Sequence, residues 1–290
     1  MTFFIALQKK HSATSKSRKA GDFVHKSRNL SCNMTGMQNI LLYAHRGSTI
    51  LAPESTLPAF EVAILHGADI LEIDVRMSHD DQIVVFHDER VDRTCNGHGK
   101  IRDLSLKQLK KLDAGYRFVD PNGRTWRENK TRVLTLSELF ELFPQTPVNI
   151  DIKDNSKEAA LAVAGILEKA DRYSTVNVGS FHSSALQHFR QRLPQVTTAA
   201  TQAEVANLYF KRGLYKNPPF EYLQIPMHYM GLPLAGNTFI SHAKKRGIKP
   251  VYWTINDQAS MEKLISRGAA GFVTDRVDIA GKLLGKSRHK

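Results

Sequence analysis

A chain of 290 residues that is 41% hydrophobic can bury one large core, and a single α/β barrel of about 250 residues suits that length. Its cysteines, Cys32 and Cys95, form no CxxC pair, which argues against a thiolate metal site or a disulfide framework and favours a reducing compartment. No apolar run approaches the ~20 residues needed to cross a bilayer, so a soluble, cytoplasmic protein is expected.

The formal charge of +13 is concentrated at the two ends: residues 1–40 carry seven Lys/Arg against one Asp, and residues 281–290 carry four Lys/Arg and no acid. Basic segments on a near-neutral body favour loose contact with phosphates or anionic membrane surfaces over a shaped nucleic-acid groove, with solubility alone as the alternative.

After residue 38, short β-rich runs alternate with helical patterns, the order of a parallel sheet with helices packed outside it. The predicted strands are NILLYAH (39–45), DILEIDVR (69–76), QIVVFH (82–87), VNIDIK (148–153), TVNVGS (175–180), VTTAA (196–200), EYLQI (221–225), KPVYWT (249–254) and GFVTD (271–275). Nine runs for eight barrel places leave one misread or extra, and VTTAA is the first to doubt. Helices are predicted over 57–67, 137–143, 156–170, 184–192, 237–247 and 260–268, with Gly67, Gly247 and Gly268 just past helix ends. From 88 to 136 only a small helix, 104–112, is visible, so this stretch reads as an insertion over one barrel mouth after the third strand. The expected layout is a basic, disordered leader (1–36), an α/β barrel (38–282) and a basic tail (283–290).

In 69–76 the strand period of two puts Leu71, Ile73 and Val75 on one face and Glu72, Asp74 and Arg76 on the other. Barrel strands have no solvent face, so carboxylates there need a partner. The run 148–153 repeats the pattern, setting Asn149, Asp151 and Lys153 on one side. Glu72, Asp74 and Asp151 thus make a hard oxygen site suited to Mg2+ or Ca2+ rather than zinc; for Asp151, an ion pair with Lys153 is the alternative. His45 and His87 each close an apolar run beside charged residues, and two imidazoles near neutral pKa can deprotonate an attacking hydroxyl and protonate a leaving alkoxide. Arg46 can fork onto phosphate oxygens, and Gly47 permits close backbone approach. Trp253 and Tyr252 offer a ligand contact by cation-π attraction or by apolar burial, with ordinary packing as the alternative for one of the two. The Leu208-Tyr209-Phe210 cluster reads as core or an apolar rim.

The series His45-Arg46-Gly47, Pro53-Glu54-Ser55-Thr56, Glu72-x-Asp74 and Asp81-x-x-Val84-Val85-x-His87-Asp88 resembles the signature of the glycerophosphodiester phosphodiesterase family. Matches continue through Asn149-Ile150-Asp151-Ile152-Lys153, Gly179-Ser180-Phe181, Trp253-Thr254-Ile255-Asn256 and Gly271-Phe272-Val273-Thr274-Asp275, covering residues 40 to about 280. The resemblance implies a TIM (β/α)8 barrel that splits glycerophosphodiesters into sn-glycerol 3-phosphate and an alcohol. It implies His45 and His87 as the acid/base pair, Glu72, Asp74 and Asp151 as ligands of a divalent cation with Glu54 on the metal side, and Arg46 and Lys153 on the phosphate.

Two positions depart from the pattern: Asp151 stands where many members have Glu, and Ser55 where Asn is commoner. Asn149 to Lys153, together with Leu223-Gln224-Ile225-Pro226-Met227, also resembles the lysophospholipase D branch, whose substrates keep one acyl chain. An exposed apolar rim beside the site would favour that branch, and a small polar pocket the first reading. A barrel that binds phospholipid head groups without turnover is the third reading.

Overall fold

The computed structural model describes residues 39–210 and 218–288, so the leader at 1–36 and the last two residues of the basic tail lie outside the described residues. Alternating strands and helices build a parallel barrel. Its strands are β1 (Leu41–His45), β2 (Ile70–Met77), β4 (Val148–Ile152), β5 (Val176–Gly179), β6 (Thr197–Thr198), β7 (Tyr222–Ile225), β10 (Lys249–Tyr252) and β11 (Gly271–Thr274). Their order around the sheet is β6-β5-β4-β2-β1-β11-β10-β7. A parallel bridge between Ala199 and Tyr222, with the Ala200 amide donating to the Tyr222 carbonyl at 2.8 Å, joins the two ends. The TIM-barrel expectation therefore holds.

The extra strand is not the one the sequence led us to doubt. VTTAA supplies β6, whereas the 82–87 run supplies β3 (Ile83–Val85), which pairs antiparallel with β2 and lies off the barrel. Both faces of β3 are apolar for a physical reason. Ile83 and Val85 pack into the layer between barrel and helices, while Val84 and Phe86 pack with Val91, Cys95, Ile101, Leu109 and Val133 in a small core of the insertion. A strand buried on two sides looks like a parallel barrel strand in sequence.

The outer helices are α1 (Leu57–Leu65), α3 (Leu136–Leu142), α4 (Lys157–Ala170), α5 (Ser183–Arg192), α6 (Gln202–Phe210), α7 (Asn237–Lys244), α8 (Gln258–Ser266) and α9 (Val277–Leu283); α2 (Leu106–Leu109) belongs to the insertion. After α1, α7 and α8 the chain closes with the same pair of backbone bonds, such as Gly67 N to Ile64 O and Ala68 N to Ala63 O, both 3.0 Å. Gly67, Gly247 and Gly268 all take positive φ at these ends, as expected. The predicted helix 104–112 shrinks to α2, held by a capping box between Ser105 and Gln108. A hairpin of β8 (His228–Tyr229) and β9 (Leu232–Pro233), not anticipated, rises after β7. Part of the basic tail folds back onto the barrel, where Lys286 Nζ donates to the Ile40 carbonyl and pairs with Asp69. Among the described residues, no helix is long and apolar enough to cross a membrane.

Candidate active site

Register sets the polar residues in rows. His45 of β1 lies beside Glu72 of β2, Glu72 beside Asn149 of β4, and Asn149 beside Asn177 of β5; one pleat further, Asp74 lies beside Asp151. Leu71, Ile73 and Val75 turn outward into the helix-covered core, which leaves the carboxylates inside. His87 reaches the same level by another route. The β2–β3 hairpin runs back down beside β2, the Phe86 amide donates to the Asp74 carbonyl at 2.9 Å, and Arg76 Nε donates to the His87 carbonyl at 2.8 Å. His87 thus stands at the mouth although its strand runs opposite to the barrel.

Each imidazole is tied to its own carboxylate. His45 Nδ1 lies 2.6 Å from Asp275 Oδ1, and His87 Nδ1 lies 2.6 Å from Asp88 Oδ1. An ionised carboxylate only accepts, so both Nδ1 atoms hold the proton and both Nε2 atoms are left to exchange one. Asp275 also accepts from Thr49 Oγ1 and Asn256 Nδ2, both at 2.7 Å. Burial opposes its charge, but the His45, Thr49 and Asn256 donors hold its carboxyl down at about 2. Asp88 is held equally low against burial by Arg93 and His87. The histidines themselves part: burial lowers both, and for His45 the Asp275 hydrogen bond and the Glu72 charge outweigh it, so its pKa rises. For His87 burial and the nearby cations prevail, and its pKa falls.

The same cavity is lined by the buried carboxylates Glu72 and Asp74, the half-buried Asp151, and two cations. Lys153 Nζ bridges Asp74 Oδ1 at 2.8 Å and Asp151 Oδ2 at 2.6 Å, the ion pair foreseen as the alternative for Asp151. The Arg46 amide donates to Glu72 Oε2 at 3.1 Å, its Nη1 to Glu54 Oε1 at 3.1 Å, and its Nε stands 2.9 Å from Asp74 Oδ2 without hydrogen-bond alignment. Burial, with repulsion from Asp74, pushes Glu72 up to about 7. Burial raises Asp151 too, whereas Lys153 and Arg46 hold Asp74 below its usual range despite its burial.

Among the described residues, no three His, Cys, Asp or Glu side chains are gathered closely enough to hold a metal ion, and Lys153 and Arg46 lie against the carboxylates. The donor set nevertheless fits a hard cation. Asp151 Oδ1 is buried without a hydrogen-bond partner, and burial together with repulsion from Asp74 raises Glu72, a penalty that a hard cation would relieve. Glu54 fits less well, since both its oxygens accept from Arg93 at 2.7 Å.

These groups open into a cavity of about 700 Å³ whose far wall is apolar, formed by Phe181, Tyr209, Phe210, Tyr229, Met230 and Trp253. Trp253 packs edge-on against Phe181, while Tyr252 is fully buried and donates to the Leu234 carbonyl at 2.9 Å. Of that pair only Trp253 meets the cavity. Phe181, Phe210 and Met230 are 52%, 67% and 86% exposed, so the wall continues into an exposed rim. Gly47 does allow close approach, but to the protein itself: a Cβ there would stand 2.7 Å from the Ala59 backbone. The sequence motifs include Asn256, Asp275 and Asp88 but assign them no role, and Arg93 lies outside them.

Residues 45–279 match the family model for the glycerophosphoryl diester phosphodiesterase family. A glycerophosphodiester phosphodiesterase of Caldanaerobacter subterraneus subsp. tengcongensis is 32% identical over 248 residues, covering 81% of this chain and 93% of its own. Human lysophospholipase D GDPD3 is 25% identical over 264 residues, covering 81% and 82%. An Oleispira antarctica phosphodiesterase solved with sn-glycerol-3-phosphate superposes with a TM-score of 0.70 at 25% identity, covering 85% of this chain and 96% of that one. The chain belongs to the glycerophosphoryl diester phosphodiesterase family of enzymes.

Proposed function

We propose that this chain hydrolyses glycerophosphodiesters to sn-glycerol 3-phosphate and an alcohol, with His45 and His87 as the proton-transfer pair and a divalent cation, Mg2+ or Ca2+, held by Glu72, Asp74 and Asp151. The observation that carries the reading is the pair of imidazoles, each bound through Nδ1 to its own carboxylate at 2.6 Å, at one cavity with those three acids. One imidazole takes a proton at Nε2 from the attacking hydroxyl, and the other gives one to the departing alkoxide. Arg46 and Lys153 bind the phosphate oxygens. When bound, the cation offsets charge that builds on those oxygens in the transition state. The relative from Oleispira holds sn-glycerol-3-phosphate, the product this reading requires.

By the same chemistry, the apolar wall and its exposed rim favour substrates that keep one acyl chain, the lysophospholipase D reading, whose product is then an acylated glycerol phosphate, over small soluble diesters. Trp253 then contacts the chain or a choline group. Basic segments at the chain ends add weak attraction to anionic membrane surfaces.

Phosphorus NMR with glycerophosphocholine and, separately, lysophosphatidylcholine tests both levels. Each is run with Mg2+, with Ca2+ and with chelator, beside His45→Ala and Glu72→Ala. Metal-dependent turnover that each substitution reduces at least about 100-fold is expected, faster for the acylated substrate. Turnover of glycerophosphocholine alone would remove the lysophospholipase D reading, and turnover of neither would remove the enzyme reading for these substrates.

A further inference from the structure

Arg93 lies in the insertion, on a single 3-10 turn (Val91–Arg93), and outside the cavity lining. Its guanidinium makes four hydrogen bonds to two carboxylates from different parts of the site. Nη1 and Nη2 donate to Glu54 Oε2 and Oε1, both at 2.7 Å, while Nε and Nη2 donate to Asp88 Oδ2 and Oδ1 at 2.6 and 3.1 Å. Asp88 holds His87, and Glu54 holds Arg46, which in turn contacts Glu72 and Asp74. One planar fork thus connects the histidine delivered by the hairpin to the arginine delivered by the loop after β1. The turn beneath it is fixed from below, for Val91 is fully buried in the insertion core and its amide donates to the Gly99 carbonyl at 3.0 Å.

We infer that Arg93 is a positioning residue of this active site, clamping Asp88 and Glu54 so that His87 and Arg46 hold their places across the cavity mouth. The inference rests on the reading of His87 as a proton-transfer group, and it gives the insertion a catalytic purpose beyond covering the barrel. Side chains that orient a reacting group through one intermediary typically cost 10- to 100-fold in activity when removed, roughly what a displacement of about 1 Å costs. Arg93 is 49% exposed, and exposed ion pairs contribute little to stability. Function and stability should therefore separate at this residue.

The test compares Arg93→Ala, Arg93→Lys and the neighbouring control Arg90→Ala, measuring kcat and KM on whichever of the two phosphodiesters the wild type turns over, thermal stability, and the His87 imidazole nitrogens by NMR without substrate. Arg93→Ala is expected to lose about 10- to 100-fold in kcat with KM changed less than about threefold and Tm within about 3 °C. Its His87 should drift from the Nδ1-protonated tautomer. Arg93→Lys should recover only part, because an ammonium cannot fork onto two carboxylates, and Arg90→Ala should match wild type. An unchanged kcat, an unchanged His87 tautomer, or an equal loss in Arg90→Ala would overturn the inference. Absence of wild-type turnover would instead strike the proposed function, and the tautomer reading would still decide the role of Arg93.

Discussion

Ser55 sits at φ +59° and Arg46 at φ +50°, both in the left-handed region and joined by the Ser55 amide donating to the Arg46 carbonyl at 2.8 Å. Asn enters that region more readily than Ser, so the departure from the common Asn at this place carries a backbone cost, and the Ser55 hydroxyl is buried without a partner. Such strain beside Glu54 and Arg46 is consistent with a loop shaped for the site rather than for stability. Asp275 makes the opposite contribution, because its folded pKa of about 2 lies below the ~3.9 of an unfolded Asp. Its stabilisation is present above about pH 4 and is lost as pH falls toward 2. The raised pKa of His45 works in the other direction, contributing below the unfolded value of about 6.5 and fading as pH rises through the folded value. The Tm difference between wild type and Asp275→Asn should therefore peak between about pH 4 and 6.5 and shrink on both sides. A difference that stays level from pH 2 to 8 would show that the pair is not linked to folding.

At the scale of elements, one arginine joins two helices across a loop. Arg172, just past α4 and only 5% exposed, donates to the carbonyls of Phe143, Pro144 and Thr146 at 3.0, 2.9 and 2.5 Å, to Thr175 Oγ1 at 2.7 Å, and lies 4.8 Å over the Phe140 ring. These carbonyls include the unfinished end of α3, which has no intrahelical donor left. Arg172→Ala should cost about 3–5 kcal/mol in chemical denaturation, since it removes several charge-assisted hydrogen bonds and the packing of a buried side chain at once; a loss under about 1 kcal/mol would mean water replaces them. The sequence makes α4 and α5 legible through their apolar period, and it locates Glu72, Asp74, Asp151 and Lys153 through the strand period of two. It fails at β3, where burial on both faces mimics a barrel strand, and its doubt about VTTAA is misplaced, because two threonines suffice for β6 where neighbouring strands supply the pairing. Helix α6 is missed although Val205, Leu208 and Tyr209 stand at helical spacing. Asp88 adjoins His87 and Arg93 follows five residues later, but the longer-range clamps leave no local trace. Asp275 is 230 residues from His45, and Arg93 is 39 from Glu54, so only the closed barrel brings them together.

For the molecule as a whole, charge and catalysis reside in different places. The family match spans 45–279 and the cavity is lined by residues between 45 and 273, whereas residues 1–36 alone hold seven Lys/Arg against one Asp. If the basic leader acts only through long-range attraction, removing it should leave turnover alone and weaken surface binding. A chain lacking residues 1–36 is expected to keep kcat/KM for a soluble phosphodiester within about twofold, while its partition onto anionic vesicles falls at least about tenfold at low salt, given ~1 kcal/mol per basic residue near a charged surface. Raising ionic strength to 0.5 M should erase that difference, because the Debye length is then only about 4 Å. A truncated chain that folds with unchanged Tm but loses turnover would place part of the catalytic apparatus in the leader. Equal vesicle binding by both chains would instead assign the membrane contact to the apolar rim of Phe181, Phe210 and Met230, which stays in place after truncation and whose burial does not weaken with salt.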